Sequence, residues 1–174
     1  MKDDPSQWQR LLQIRNGCQI PVRPIRAEDE DGIRELLRRT RGEDLRLRFF
    51  GVVKEFPHSF LAGLTQLDFT TAVAFVAFDG TGSDVVGVVR LHSDTVYERG
   101  EYAILVRSDL KGMGLGLALM HLLIAYARRE GLKEIFGYVL RENAPMLALC
   151  RTLGFEIDAG ASAPEVLDVS LKLT

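Results

Sequence analysis

Residues Asp109–Met120 read DLKGMGLGLALM, three alternating glycines, Gly112, Gly114 and Gly116, set directly ahead of an apolar run. Glycine loses more conformational freedom on ordering than any other residue, so three of them at the point where a helix must begin call for a physical reason. Upstream, EYAILV (101–106) has the β-branched and aromatic content of a strand. Downstream, Leu119, Leu122, Leu123 and Tyr126 recur at helical spacing, and Gly131 follows as a C-terminal stop. A strand ending at Val106, a glycine turn and a helix starting near Gly114 bring unpaired backbone N–H groups and the positive end of a helix dipole to one point. That point suits an anion, and residues without side chains let a bulky pyrophosphate approach the backbone closely.

Two other glycine motifs fail on these residues. The dinucleotide fingerprint G-x-G-x-x-G would need a third glycine at Leu117 or Leu119, depending on whether it starts at Gly112 or Gly114. The phosphate-binding loop of ATPases would need Gly-Lys-Ser/Thr, a triplet that this sequence lacks. Binding of NAD or ATP is therefore disfavoured.

Outward from the turn, TTAVAFVAF (70–78) and VVGVVRLHSD (85–94) flank the turn-rich DGTGSD, the pattern of an antiparallel hairpin, and residues 101–106 extend it to a meander. EIFGYVL (134–140) is a strand reached through a helix, which predicts a parallel pairing by a βαβ crossover. NAPMLALCRTLGF (143–155) reads as a short helix with Met146, Leu149 and Leu153 inward, and VLDVSLKL (166–173) as a closing strand. AEDEDGIRELLRRT (27–40) carries acids at its front, bases at its end and Ile33, Leu36 and Leu37 on one face, matching both dipole and helical period. Residues 41–64 mix short helical pieces with Phe49, Phe50, Phe56 and Phe60, and IPVRPIR (20–26) reads as a strand whose prolines a sheet edge would tolerate. Trp8, Leu11 and Leu12 fit a short helix, so residues 1–20 are expected as an accessory helix or a linker and residues 21–174 as a single domain.

A chain of 174 residues with 47% hydrophobic and 26% charged content can bury one substantial core. The formal charge of −2 gives no nucleic-acid footprint and no polybasic membrane patch. Cys18 and Cys150 are too few for a disulfide framework, and no Cys or His stands at metal-ligand spacing, so no metal is expected. The start has no signal-peptide apolar core, and the run Leu115–Ala127 is shorter than a membrane span. A cytoplasmic protein with a small-molecule or protein partner and no membrane association is the expectation.

Lys111, Gly114 and Gly116 satisfy the pattern [basic or Gln]-x-x-G-x-G, and Asn143, Leu149, Gly154 and Phe155 approach N-x-x-A-x-x-L-Y-x-x-x-G-F. On these two motifs residues 22–172 resemble the GNAT-type N-acetyltransferases. LRLRFFG (45–51), EYAILVRSDLKGMGLG (101–116) and ENAPMLALCRTLGF (142–155) look closest to the acetyltransferase domains of protein lysine acetyltransferases that modify acyl-CoA synthetases. The resemblance implies an α/β (α+β) fold with a mixed, partly antiparallel central sheet flanked by helices, in the order β-α-α-β-β-β-α-β-α-β-β.

It also implies acetyl-CoA as co-substrate and direct transfer of acetyl to a primary amine, first of all a protein lysine, with a homodimer as one arrangement. The N–H groups of Lys111, Gly112, Met113, Gly114, Leu115 and Gly116 would hold the pyrophosphate. Ile104, Leu105 and Val106 would run along the pantetheine arm, with a splayed strand leaving an N–H for the thioester carbonyl. Asn143 would reach the cofactor from the far side. Glu101 would be the general base, because an ammonium of pKa near 10.4 must lose a proton before it attacks. Cys150 stands where many relatives carry a Tyr that protonates the leaving thiolate.

On residue type alone, Glu101 is a strand-end charge, Asn143 a helix N-cap and Cys150 a small apolar filler; His92 is an alternative base. Two rival functions stand beside the leading one: acetylation of a small-molecule amine, and a non-catalytic acyl-CoA-sensing module.

Overall fold

The computed structural model describes residues 4–51, 54–159 and 163–173. After a 3-10 turn at Pro5–Trp8 come the strands β1 (Arg10–Gln13) and β2 (Gln19–Pro24), then the helices α1 (Glu30–Arg39), α2 (Gly42–Phe49) and α3 (His58–Thr65). The meander β3 (Ala72–Phe78), β4 (Val85–Ser93) and β5 (Arg99–Val106) leads through a 3-10 turn at Ser108–Leu110 into α4 (Leu115–Arg129). β6 (Glu134–Leu140), α5 (Ala144–Leu153), β7 (Glu156–Asp158) and β8 (Val166–Lys172) complete the described chain. The strands form one sheet in the order β1-β2-β3-β4-β5-β6-β8-β7. Every neighbouring pair is antiparallel except β5–β6, the parallel pair that the crossover through α4 predicts.

β3 and β4 are apolar almost throughout because both sheet faces are covered. One face carries Ala74, Val76 and Val88 against Ile33, Leu36, Leu37 and Leu61 of α1 and α3. The other carries Val73, Phe75 and Leu91 against Leu119, Leu122, Leu123 and Tyr126 of α4. Among the described residues no helix is long and apolar enough to cross a membrane.

Three details depart from the sequence reading. First, residues 10–13 are a strand, not a helix or linker. Leu11 is 64% exposed while Leu12 packs inward, the alternation of a strand, and Trp8 is buried with its ring 5.2 Å from that of Tyr126. The order therefore begins with an added strand, and the segment after α1 holds two helices. Second, β2 is not an edge. It is staggered, paired to β1 over Gln19–Val22 and to β3 over Val22–Pro24, so only Val22 is paired on both sides. Each proline thus faces a partner strand on one side alone, which is what a residue lacking an N–H requires. Third, the fully buried residues of α5 are Leu147 and Cys150; Met146, Leu149 and Leu153 pack half-buried against the same core as expected, and Met146 and Leu149 also line a cleft.

Gly137 of β6 lies under the Tyr102 ring of β5. A Cβ there would stand 2.9 Å from Cδ1, 3.0 Å from Cζ and closer still to Cε1. The ring is pinned by an edge contact with Phe155 and by Cys150 Sγ 3.3 Å from the hydroxyl. Gly137→Ala should therefore destabilise the protein by about 1–3 kcal/mol as the ring is forced aside. An unchanged urea midpoint would show that the ring moves freely.

Candidate active site

β5 and β6 pair only from Arg99↔Glu134 to Glu101↔Phe136. Beyond that fork, β5 continues against β4 as far as Val106, and β6 against β8 as far as Leu140. The edges that face one another are left without strand partners, and a cleft of about 620 Å³ opens between them. The cleft is lined by Ile104, Leu105 and Val106, by Glu101 at the fork and by Asn143 on the β6 side. Asn143 also caps α5, accepting from the Met146 N–H at 3.3 Å, so its side chain is both cap and cleft wall.

The glycine turn closes the open end. Gly112 and Gly114 have φ of 84° and 87°, the left-handed region that favours glycine, and Gly114 is the N-cap of α4. Lys111 and Met113 spend their N–H groups on Ser108 and Leu110 at 3.4 Å. The N–H groups of Gly112, Gly114, Leu115 and Gly116 have no backbone acceptor among the described residues. Four donors of the six expected are thus available at the cleft, beside the positive end of α4. Met113 turns away: its carbonyl accepts from the Arg15 N–H at 3.0 Å and its side chain packs on the core.

The sequence reading missed two neighbours of this turn. Arg15, in the β1–β2 connection, lines the cleft and donates from Nη1 to the Gly112 carbonyl at 3.0 Å. Asp44 of α2 holds the Lys111 ammonium at 2.8 Å and accepts from the Ser108 hydroxyl at 2.6 Å. The Lys111 charge is therefore already paired. Burial pushes the Asp44 carboxyl up, but the Lys111 and Ser108 hydrogen bonds outweigh it and hold it below the usual carboxylate range.

A group depressed in the folded state contributes stability above its unfolded pKa and loses it as pH falls through the folded value. Asp44→Asn should cost about 1–2 kcal/mol at pH 7, and its deficit against wild type should shrink toward pH ~3. A deficit equal at both pH values, by chemical denaturation, would contradict this assignment.

At the fork, Glu101 is exposed and stands directly opposite His92 of β4. Burial, and then the Arg90 charge, pull the His92 imidazole below its ordinary pKa. Arg48 of α2 lines the same cleft, near enough to Glu101 for the two charges to act on one another. Cys150 is buried behind Tyr102 and outside the cleft lining, and burial raises both its thiol and the Tyr102 hydroxyl. Among the described residues no group of three or more His, Cys, Asp or Glu could hold a metal ion.

A strand pair forked over a cleft, closed by a glycine turn that opens a helix, is the arrangement expected from the resemblance of residues 22–172. The chain belongs to the acetyltransferase (GNAT) family, which it matches over residues 25–155. It is 31% identical over 144 residues to an acetyltransferase of Pseudomonas aeruginosa, spanning 82% of this chain and 77% of that protein. Its fold superposes on the GNAT domain of S. lividans PAT with a TM-score of 0.91, at 22% identity over 98% of this chain and 100% of that one. A GNAT-fold protein of Salmonella typhimurium, solved with its cofactor acetyl-CoA, matches at a TM-score of 0.68 and 18% identity over 89% and 94% of the two chains.

Proposed function

We propose that this protein is an N-acetyltransferase that takes the acetyl group of acetyl-CoA directly to a primary amine in a ternary complex. The observation that carries the reading is the fork: a cleft whose two walls are unpaired strand edges, with a carboxylate at its closed end and free N–H donors at its open end. Gly112, Gly114, Leu115 and Gly116 supply the donors for a pyrophosphate, and the α4 dipole adds to them. Ile104, Leu105 and Val106 offer main-chain groups to the pantetheine arm, one N–H of this edge polarising the thioester carbonyl. Asn143 closes the far wall.

Bound acetyl-CoA supplies an activated carbonyl carbon: the amine nitrogen bonds to it as the carbon–sulfur bond breaks. Glu101 takes the ammonium proton, and the second proton that the nitrogen sheds as the amide forms passes to solvent. Three residues at roughly 3.3 Å each separate Glu101 from Ile104 by about 10 Å, so a water carries the first proton between them. With Cys150 buried outside the cleft, the proton for the departing thiolate comes from solvent.

The resemblance of residues 45–51, 101–116 and 142–155 makes a lysine of a protein such as an acyl-CoA synthetase the first acceptor to test. A small-molecule amine is the second reading, favoured by the charged side chains around Glu101. Release of CoA thiol from acetyl-CoA, with and without an acyl-CoA synthetase and with a panel of small amines, separates these readings. Acetyl-lysine on the synthetase supports the first, and release with a small amine supports the second. Binding without release to any amine makes the protein an acyl-CoA sensor.

A further inference from the structure

Four ionisable side chains from three elements meet on one sheet face at the fork. Glu101 of β5 lies opposite His92 of β4, and Arg90, two residues along β4, pairs with Ala103 and so shares the face of Glu101. Arg48 of α2 lines the cleft with Glu101, and its charge acts on Arg90 and His92 while that of Glu101 acts on it. Arg90 is only 5% exposed and donates from Nη2 to the Leu64 carbonyl at 3.1 Å.

Arg48 differs from the other arginines of α1, of α2 and of the turn between them. Arg34, Arg38, Arg39, Arg41 and Arg46 all reach carboxylates. The Arg48 guanidinium lies over the Phe49 ring at 4.6 Å, and no hydrogen bond or ion pair holds it among the described residues. Burial lowers the affinity of both Arg48 and Arg90 for their protons; the Arg48 charge lowers that of Arg90 further, while the Glu101 charge acts on Arg48 in the opposite sense. Two guanidiniums therefore face one carboxylate, with His92 held toward its neutral form. Withdrawing an incompletely matched cation from water is costly, and a ligand's negative charge would offset that cost.

We propose that the acceptor carries a carboxylate, bound by the free fork of Arg48 and backed by the charge of Arg90, so that its amine is presented to Glu101. A guanidinium offers parallel donors that match the two oxygens of a carboxylate. Leu47, Phe49 and Phe50 line the cleft beside Arg48, so the remainder of the acceptor is apolar. The acceptor class is an apolar α-amino acid. Polyamines and aminoglycosides would bring further positive charge to the two arginines. The inference rests on the acetyl-transfer reading and takes its second acceptor class further.

The test measures CoA thiol release at saturating acetyl-CoA with L-leucine, L-methionine and L-phenylalanine, each against its own carboxamide. Donor binding is titrated separately in the same preparations. At least one amino acid should exceed its carboxamide in kcat/KM on the order of 100-fold. Arg48→Ala should collapse that ratio toward one, chiefly through KM, and Arg48→Lys should restore part of it, with acetyl-CoA affinity retained in both. Carboxamides used as well as the acids, no turnover of any of the three acids, or a ratio that survives in Arg48→Ala would each overturn the proposal. Failure of the wild type to bind acetyl-CoA would instead overturn the acetyl-transfer reading and, with it, this proposal.

Discussion

Glu101→Gln should lower acetyl transfer on the order of 10²–10⁴-fold while leaving acetyl-CoA affinity where it was. The substitution keeps the size and hydrogen-bonding reach of the side chain and removes its capacity to accept a proton. Glu101 sits at the fork, about 10 Å along the strand from the edge proposed to meet the thioester, so donor binding should not sense the change. Raising the pH should recover part of the lost rate, because an amine of pKa near 10.4 then supplies more of its own neutral form. His92 faces Glu101 across the strand pair and is held toward its neutral form, so it is the alternative base. A Glu101→Gln enzyme that keeps half its rate, with the rate lost instead in His92→Gln, would transfer the role to the histidine.

Gly114→Val should abolish measurable acetyl-CoA binding, weakening it at least on the order of 100-fold. Gly114 holds φ of 87° as the N-cap of α4, a conformation that costs a β-branched residue about 1–3 kcal/mol. A Cβ there would already be in van der Waals contact with Cγ of Arg15 at 3.4 Å, so the further methyls of valine press on a side chain whose Nη1 donates to the Gly112 carbonyl. The turn must relax, and relaxation swings away the N–H groups of Gly112 through Gly116. Each hydrogen bond to a charged group is worth about 1.5–3 kcal/mol, so two lost donors account for the expected effect. Gly82→Val provides the control: its φ of 79° brings similar strain in the β3–β4 turn, where a Cβ would meet nothing within 4 Å. Equal binding by wild type and Gly114→Val would remove the glycine turn from the donor site.

What the sequence made legible is what local chemistry determines. The α4 face of Leu119, Leu122, Leu123 and Tyr126 is buried as its period requires, and its glycine start and stop lie where the capping rules place them. The parallel β5–β6 pair follows from the intervening helix. The α5 face was read only in part: Met146 and Leu149 do pack against the core, but they line the cleft as well, while Leu147 and Cys150 are the residues buried outright. Spacing alone cannot tell a core from a binding wall. β1 was misread because four residues are too few to separate the two periods.

The neighbours of the glycine turn were out of reach for a different reason. Arg15 meets Gly112 across 97 positions of sequence, and Lys111 meets Asp44 across 67. Neither residue carries a local mark of that contact. Arg48 was likewise invisible, since its distinction is the partner it lacks, which only the folded surroundings define.

The central claim is that the β5–β6 cleft and the glycine turn together form the donor site. The most direct test follows backbone amide signals by NMR as acetyl-CoA is added to the wild-type protein. The account predicts the largest shifts at Gly112, Gly114, Leu115 and Gly116 and along Ile104–Val106, with the β1–β2 strands and Phe78 little changed. Saturable shifts centred elsewhere, or none at millimolar acetyl-CoA, would contradict it.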